Sequence, residues 1–336
     1  MKKYKNGLVL GKMYPVTLGH IYLINTAIEN CKTVHVIITH NSTQSIPGQV
    51  RYDALNKIYK NNSNVIIYLI SDEGLPQSDS ECESLDEFYS YWIPLVYSNV
   101  DELDVVFTSE DYGDSFAKYL NVEHYLVDKE RINYPISGTK VRSNPFENWN
   151  FIPDEMKRFF IKRVAIMGPE SVGKSTLTQN LANILNTNFV IEYGRLIYEI
   201  NNSIELKDFI PISKGRQEIE DWIINSSNKY LICDTEDITT YIFSKLFFPN
   251  EYKSIESYFI DSIKSKPKYD LYILLKPDVN GVQDGTRKFL DSRVDHYQII
   301  KSELISNNCN FIEIGGNWKE RQEKSIEEIL KLNIGK

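Results

Sequence analysis

Short runs of apolar, β-favouring residues alternate with stretches of helical periodicity along the whole chain. In the first half the runs fall at 7–10, 34–39, 65–70, 104–108 and 124–127, with helix-patterned segments between them at 20–30, 49–60, 85–99 and 113–120. The rhythm breaks at Asn144-Pro145-Phe146-Glu147-Asn148-Trp149-Asn150-Phe151-Ile152-Pro153, where two prolines bracket three aromatics, and a short helix is expected at 154–161. It then restarts. Strands are predicted at 162–167, 188–191, 230–234, 270–275 and 310–313, and helices at 174–186, 213–227, 238–247, 254–264, 294–306 and 318–331. Strands that alternate with helices fold as parallel sheets covered on both faces. The expected fold class is therefore α/β, as two doubly wound parallel-sheet domains. The first spans 1–143, a linker with a short helix spans 144–161, and the second spans 162–336. A length of 336 residues agrees with two domains of roughly 150 residues each.

Composition narrows the function classes. The chain is 42% hydrophobic and 12% aromatic, enough for two cores, and its net charge of −8 disfavours broad binding to duplex nucleic acid or membrane surfaces. Small anions can still find local basic pockets. Cys31, Cys82, Cys233 and Cys309 form no C-x-x-C pair, so neither a zinc site nor a disulfide framework is expected. The basic start Met1-Lys2-Lys3-Tyr4-Lys5 precedes an apolar run that ends at Gly11-Lys12, too short for a signal peptide. No run reaches the length of a membrane span, so a cytoplasmic, non-inserted protein is expected.

Three segments carry phosphate chemistry. Gly168-Pro169-Glu170-Ser171-Val172-Gly173-Lys174-Ser175 fits G-x-x-x-x-G-K-S between an apolar strand and a helix that opens at Thr176. Such a loop turns backbone N–H groups toward phosphate oxygens, its lysine reaches the β- and γ-phosphates, and its serine can hold Mg²⁺. The ligand implied is a nucleoside triphosphate such as ATP. Near the N-terminus, Gly11-Lys12-Met13-Tyr14-Pro15-Val16-Thr17-Leu18-Gly19-His20 follows the first strand and opens a helix. Thr17 and His20 are three apart and can share a face, and Gly19 permits close approach by a ligand. Further on, Ile136-Ser137-Gly138-Thr139-Lys140-Val141-Arg142 offers a hydroxyl, helix-start N–H groups and a guanidinium fork.

The pair T-x-G-H and I-S-G-T-x-x-R resembles the nucleotidyltransferase superfamily of Rossmann-like fold. That resemblance implies transfer of a nucleotidyl group without a covalent intermediate, with Lys12, His20 and Arg142 meeting the charge that builds on the α-phosphate. The wider order of motifs is similar to the NadR family. The segments are 11–24, Phe107-Thr108-Ser109-Glu110, 127–131, 136–142, 144–153 and 168–176. This family joins nicotinamide mononucleotide adenylyltransferase to ribosylnicotinamide kinase. The implied ligands are nicotinamide riboside, the mononucleotide (NMN), ATP, Mg²⁺ and NAD. A single-activity transferase with a nucleotide-sensing P-loop half is the alternative.

The resemblance also implies roles in the second half. Asp234, in Leu231-Ile232-Cys233-Asp234-Thr235-Glu236, would organise Mg²⁺ directly or through water. Glu192, before Tyr193-Gly194-Arg195, is the first choice of base for the 5′-hydroxyl, unless it only pairs with Arg195. Asp208 is the second choice, as base or ribose ligand. Arg195 is a candidate substrate contact. Arg287, in Asp284-Gly285-Thr286-Arg287, or Arg293 would neutralise the transferred phosphoryl group, with a solvated loop as the other reading of Arg293. Trp92 is a candidate ring to stack on the pyridinium, or a core tryptophan. Arg51 is a candidate phosphate contact, or a surface arginine.

Departures from the family pattern are Thr17 for a usual His, Met13 for Phe, Leu196 for Asp and Glu236 for Asp. A hydroxyl at 17 cannot become cationic, so a changed rate or pH profile is expected. Leu196 and Glu236 bear on the kinase half. Some family members carry a helix-turn-helix repressor module ahead of the transferase; none precedes it in this sequence, so operator binding is not expected. Self-association is a family tendency.

Overall fold

The computed structural model describes residues 2–265, 269–279 and 291–333. The chain divides into two compact units, Met1–Phe159 and Phe160–Lys336. Each is built on a five-stranded, all-parallel sheet.

In the first unit β1 (Tyr4–Gly11), β2 (Cys31–His40), β3 (Val65–Ser71), β4 (Val105–Thr108) and β5 (Glu123–Leu126) lie in the order β3-β2-β1-β4-β5. Helices α1 (Leu18–Asn30), α2 (Gly48–Ile58), α3 (Leu85–Tyr97), α4 (Gly113–Leu120) and the short α5 (Gly138–Ser143) connect or follow them. Alternation along the strands splits the core in two. Val9, Val36 and Ile38 pack with Leu23, Ile24, Ala27 and Leu55 of α1 and α2. Leu8 and Ile37 pack with Tyr89, Val96, Phe116 and Leu120 of α3 and α4 on the other face. The strand order reverses between β1 and β4, paired Gly7 to Val105 and Leu8 to Val106. A crevice therefore opens beyond their carboxyl ends, where sheets of this kind bind ligands. Segment 144–159 belongs to this unit. Trp149, Ile152 and Met156 are buried, and α6 (Asp154–Lys157) packs on α2.

The second unit holds β6 (Lys162–Met167), β7 (Asn188–Val190), β8 (Tyr230–Asp234), β9 (Leu271–Leu275) and β10 (Phe311–Ile314) in the order β10-β9-β6-β8-β7. Its helices are α7 (Lys174–Ile184), α8 (Tyr193–Asn201), α9 (Phe209–Ile223), α10 (Asp237–Phe247), α11 (Lys253–Ser265), α12 (Arg293–Ser306) and α13 (Trp318–Lys331). β6, β8 and β9 are buried almost throughout, as expected of central strands covered on both faces.

Two elements differ from the sequence expectation. Helix α8 was not foreseen; its apolar positions Tyr193, Leu196, Ile197 and Ile200 do share one helix face, but the element is short and none of its residues is buried. Helix α9 starts at Phe209 rather than 213, carrying Pro211 in its first turn, where no intrahelical N–H bond is lost. Among the described residues no helix is long and apolar enough to cross a membrane.

Candidate active sites

The first site is a cleft of about 1070 Å³ at the β1–β4 crevice. β1 ends at Gly11, and Thr17 is the N-cap of α1. The Thr17 backbone N–H donates to His20 Nδ1 at 3.0 Å. That bond makes Nδ1 the acceptor and puts the ring proton on Nε2. Desolvation, with the Arg131 cation second, lowers the His20 pKa to about 4. His20 on the cleft wall is thus a neutral Nε2–H donor.

Opposite it, Ser137 caps α5 by accepting from the Lys140 N–H at 3.2 Å. Arg142 donates through Nη1 to the Tyr14 carbonyl and through Nη2 to Thr139 Oγ1 at 3.1 Å. Its guanidinium lies 4.2 Å from the Tyr14 ring centroid. A Cβ at Gly138 would collide with the Tyr14 carbonyl, so glycine lets the two phosphate-donor segments touch. Gly11 has no protein atom within 4 Å of where a Cβ would stand, and at Gly19 the nearest is Thr17 Oγ1 at 3.6 Å. No protein contact demands glycine at either position, which leaves room for a ligand. Lys12, Thr17, Ser137, Thr139 and Arg142 all line the cleft. Trp92 does too, with its indole N–H donating to the Pro76 carbonyl at 3.1 Å.

Arg51 does not line the cleft, which corrects its reading as a phosphate contact or a surface arginine. It is fully buried. Its fork donates to the carbonyls of Lys12, Thr39 (3.2 Å) and Pro47 (3.4 Å) and to Gln44 Oε1. It ties the phosphate-donor loop to the end of β2. Sequence reasoning missed Tyr14, held between Arg142 and Arg51 (5.4 Å from its ring), its hydroxyl accepting from the Ser45 N–H at 2.7 Å.

The second site sits beyond β6 and β8. Gly168, Ser171 and Gly173 have φ of 150°, 58° and 87°, the left-handed backbone a curled loop requires. Lys174 is buried and donates to the Pro169 carbonyl at 2.9 Å. Asp234, at the end of β8, is hydrogen-bonded to the Ser175 hydroxyl. Its Oδ1 is buried with no hydrogen-bond partner among the described residues. Burial and then the Glu192 charge raise its pKa to about 7, against the opposing pull of Lys174 and Ser175. A pocket of about 290 Å³ adjoins, lined by Ser171, Gly173, Lys174, Ser175, Thr176, Glu192, Arg195, Tyr198, Phe243 and Phe247. Arg195 pairs with Glu199 at 3.1 Å.

Asp208 does not line this pocket. Its carboxylate accepts the Glu205 N–H at 2.8 Å and caps the turn before α9, and its neighbour Phe209 faces the pocket. Arg293 opens α12, donates to the Val279 carbonyl at 2.9 Å and is not on the pocket wall. Arg287 lies outside the described residues. Arg321 was missed as well. It is fully buried and donates to the carbonyls of Val172 (2.7 Å), Gly316 (2.8 Å) and Lys276 (2.9 Å), holding the loop to the end of β9.

Residues 6–139 match the family described as citrate lyase ligase C-terminal domain, and residues 163–321 match the AAA domain family. The "Trifunctional NAD biosynthesis/regulator protein NadR" of Escherichia coli (strain K12) is 32% identical over 92% of this chain and 78% of its own length. The protein of that name from Salmonella typhimurium is 31% identical, over 93% and 80%. The chain belongs to the NadR family. A crystal structure of NadR protein in complex with NR superposes with a TM-score of 0.81 at 21% identity, covering 99% of this chain and 97% of that one. A second, in complex with NAD and AMP-PNP, has a TM-score of 0.78 at 20% identity, over 99% and 98%. Both are likenesses of fold.

Two departures from the NadR pattern now have places. Leu196 is exposed on α8 and does not line the kinase-side pocket. Glu236 is the N-cap of α10, accepting from the N–H groups of Ile238 (2.9 Å) and Thr239 (3.1 Å). It is a helix cap and lies outside the pocket lining, so the change from Asp to Glu leaves the Ser175–Asp234 pair intact.

Proposed function

We propose that the chain makes NAD in two steps, one in each unit. The second unit phosphorylates nicotinamide riboside with ATP, and the first transfers the adenylyl group of ATP to the resulting NMN, releasing pyrophosphate. The observation that carries this reading is the presence of two separate phosphate-donor sites in one NadR-family chain, each with an adjoining pocket.

In adenylyl transfer a phosphate oxygen of NMN attacks the α-phosphorus of ATP, and the bond to the pyrophosphate oxygen breaks. No proton must be abstracted from a nucleophile that is already anionic. The work is positioning and charge stabilisation. Lys12 and Arg142 bring cations, and His20 brings an Nε2–H held at a fixed angle by the Thr17 backbone. Thr17, Ser137, Gly138 and Thr139 add donors or close approach, Gly11 and Gly19 leave space, and Trp92 stacks on the pyridinium.

In riboside phosphorylation the 5′-hydroxyl attacks the γ-phosphorus and ADP leaves. Glu192 takes the hydroxyl proton, and Lys174 follows the charge on the β- and γ-oxygens. N–H groups of the 168–176 loop hold the phosphates, and Arg195 contacts the acceptor. Ser175 and Asp234 fit a magnesium ion, because Asp234 Oδ1 is a buried oxygen without a partner beside a hydroxyl. Magnesium asks the protein for only one or two such oxygens and takes the rest from phosphates and water. Bound there, it would neutralise charge between the phosphates.

The test is an end-product assay with ATP, Mg²⁺ and nicotinamide riboside, run beside one with NMN. NAD from both supports the two-step reading. NAD from NMN alone would mean that the P-loop half does not phosphorylate the riboside.

A further inference from the structure

Gly173, in the middle of the phosphate loop, has an unusual neighbour. A Cβ built there would run into the benzo edge of Trp318, at Cη2, Cζ3 and Cζ2. Trp318 is the first residue of α13 and is 50% exposed, a large apolar ring left half in water. Its position is firmly set. Asn317 and Glu320 cap the helix reciprocally, at 3.1 and 3.0 Å. Arg321, one turn on, anchors α13 to Val172 of the loop, with its guanidinium carbon 5.9 Å from the indole centroid. The indole edge therefore meets the loop, Arg321 stands on its inner side, and the exposed remainder of the ring faces solvent.

A triphosphate in the loop has two ends. The γ end must point toward Glu192 and Asp234, in the pocket where the acceptor sits. The nucleoside end must leave on the other side of the loop. Trp318 does not line the acceptor pocket, yet it touches Gly173, which does. We propose that Trp318 is the platform on which the base of the P-loop nucleotide stacks, and that it favours purine over pyrimidine nucleotides. The inference deepens the kinase reading of this unit and rests on it. Stacking on an aromatic ring recognises a flat π-surface without hydrogen bonds, so it prefers the larger bicyclic base without separating adenine from guanine.

The test uses the full chain, with thermal unfolding by circular dichroism as the folding control and adenylyl transfer in the same preparation as a check on the first unit. In Trp318→Ala the KM for ATP in riboside phosphorylation should rise about ten- to a hundredfold, the range expected for one base stack. The inhibition constant of inorganic tripolyphosphate, which has phosphates but no base, should stay at the wild-type value. Trp318→Phe should recover part of the loss. A parallel rise in both constants would mean that the indole only props the loop, and unchanged constants would mean that it does nothing for ATP; either overturns the proposal. Fluorescence gives a readout independent of turnover. ADP should quench an emission component that Trp318→Phe lacks and that Lys174→Ala no longer loses on adding ADP. Quenching without riboside phosphorylation would sink the kinase reading and leave the stacking intact. No difference between wild type and Trp318→Phe on adding ADP would sink the stacking.

Discussion

Replacing Arg51 with Ala should destabilise the first unit rather than disturb ATP binding directly. The guanidinium is inaccessible to solvent and supplies the carbonyls of Lys12, Thr39 and Pro47 and the Gln44 side chain. Truncation leaves at least Lys12 O, Thr39 O and Gln44 Oε1 without this donor, at roughly 1–2 kcal/mol each, while release of a desolvated cation gives part of that back. A net loss of about 3–4 kcal/mol follows. For a unit of this size each kcal/mol is worth about 2–4 °C, so Tm should fall by roughly 6–16 °C. Arg51→Lys keeps the charge but not the planar fork, and should recover little. The assay is thermal unfolding by circular dichroism, paired with adenylyl-transfer kinetics well below the transition. An unchanged Tm together with a large rise in KM for ATP or NMN would refute this reasoning and make Arg51 a phosphate ligand.

Three further outcomes are expected. Adenylyl transfer should show no histidine limb near pH 6.5: with the His20 pKa lowered to about 4, the ring stays neutral down to that pH, and the stability tied to the uncharged ring is lost only as pH falls from its ordinary range toward 4. A limb near 6.5 that disappears in His20→Gln would contradict this. Riboside phosphorylation should instead weaken as pH falls below about 7, because Asp234 takes up a proton there and ceases to be a cation ligand; excess Mg²⁺ should move that limb to lower pH. A profile flat from pH 8 to 5.5 would argue that Asp234 does not hold the metal. Arg321→Ala frees the Val172 carbonyl and should cut riboside phosphorylation by more than about tenfold, with adenylyl transfer as the internal control. Equal loss of both activities would point to general unfolding instead.

The sheets were legible in the sequence because buried parallel strands leave uninterrupted apolar runs, as in Val164 to Met167 and Leu231 to Cys233. The phosphate loops were legible because glycine, lysine and hydroxyl residues at fixed spacing have few other uses. Three kinds of feature were not. Helix α8 is a short element whose apolar stripe, Tyr193, Leu196, Ile197 and Ile200, is not buried. Arg51 and Arg321 are charged residues that read as surface or ligand-binding in a linear string; only the fold shows that each gives several of its donors to backbone carbonyls, some far along the chain, and that Arg321 also pairs with Asp278. Glu192 and Asp208 are equivalent in composition, and the choice between them depends on which carboxylate faces the pocket.

The central claim is that two chemistries reside in two separate units of one chain. Product analysis of Lys174→Ala and His20→Ala, each given nicotinamide riboside, ATP and Mg²⁺, tests it most directly. Lys174→Ala should leave the riboside unconverted yet still turn added NMN into NAD, and His20→Ala should accumulate NMN. Riboside phosphorylation that survives Lys174→Ala, or NAD formation within a few-fold of wild type in His20→Ala, would contradict the account.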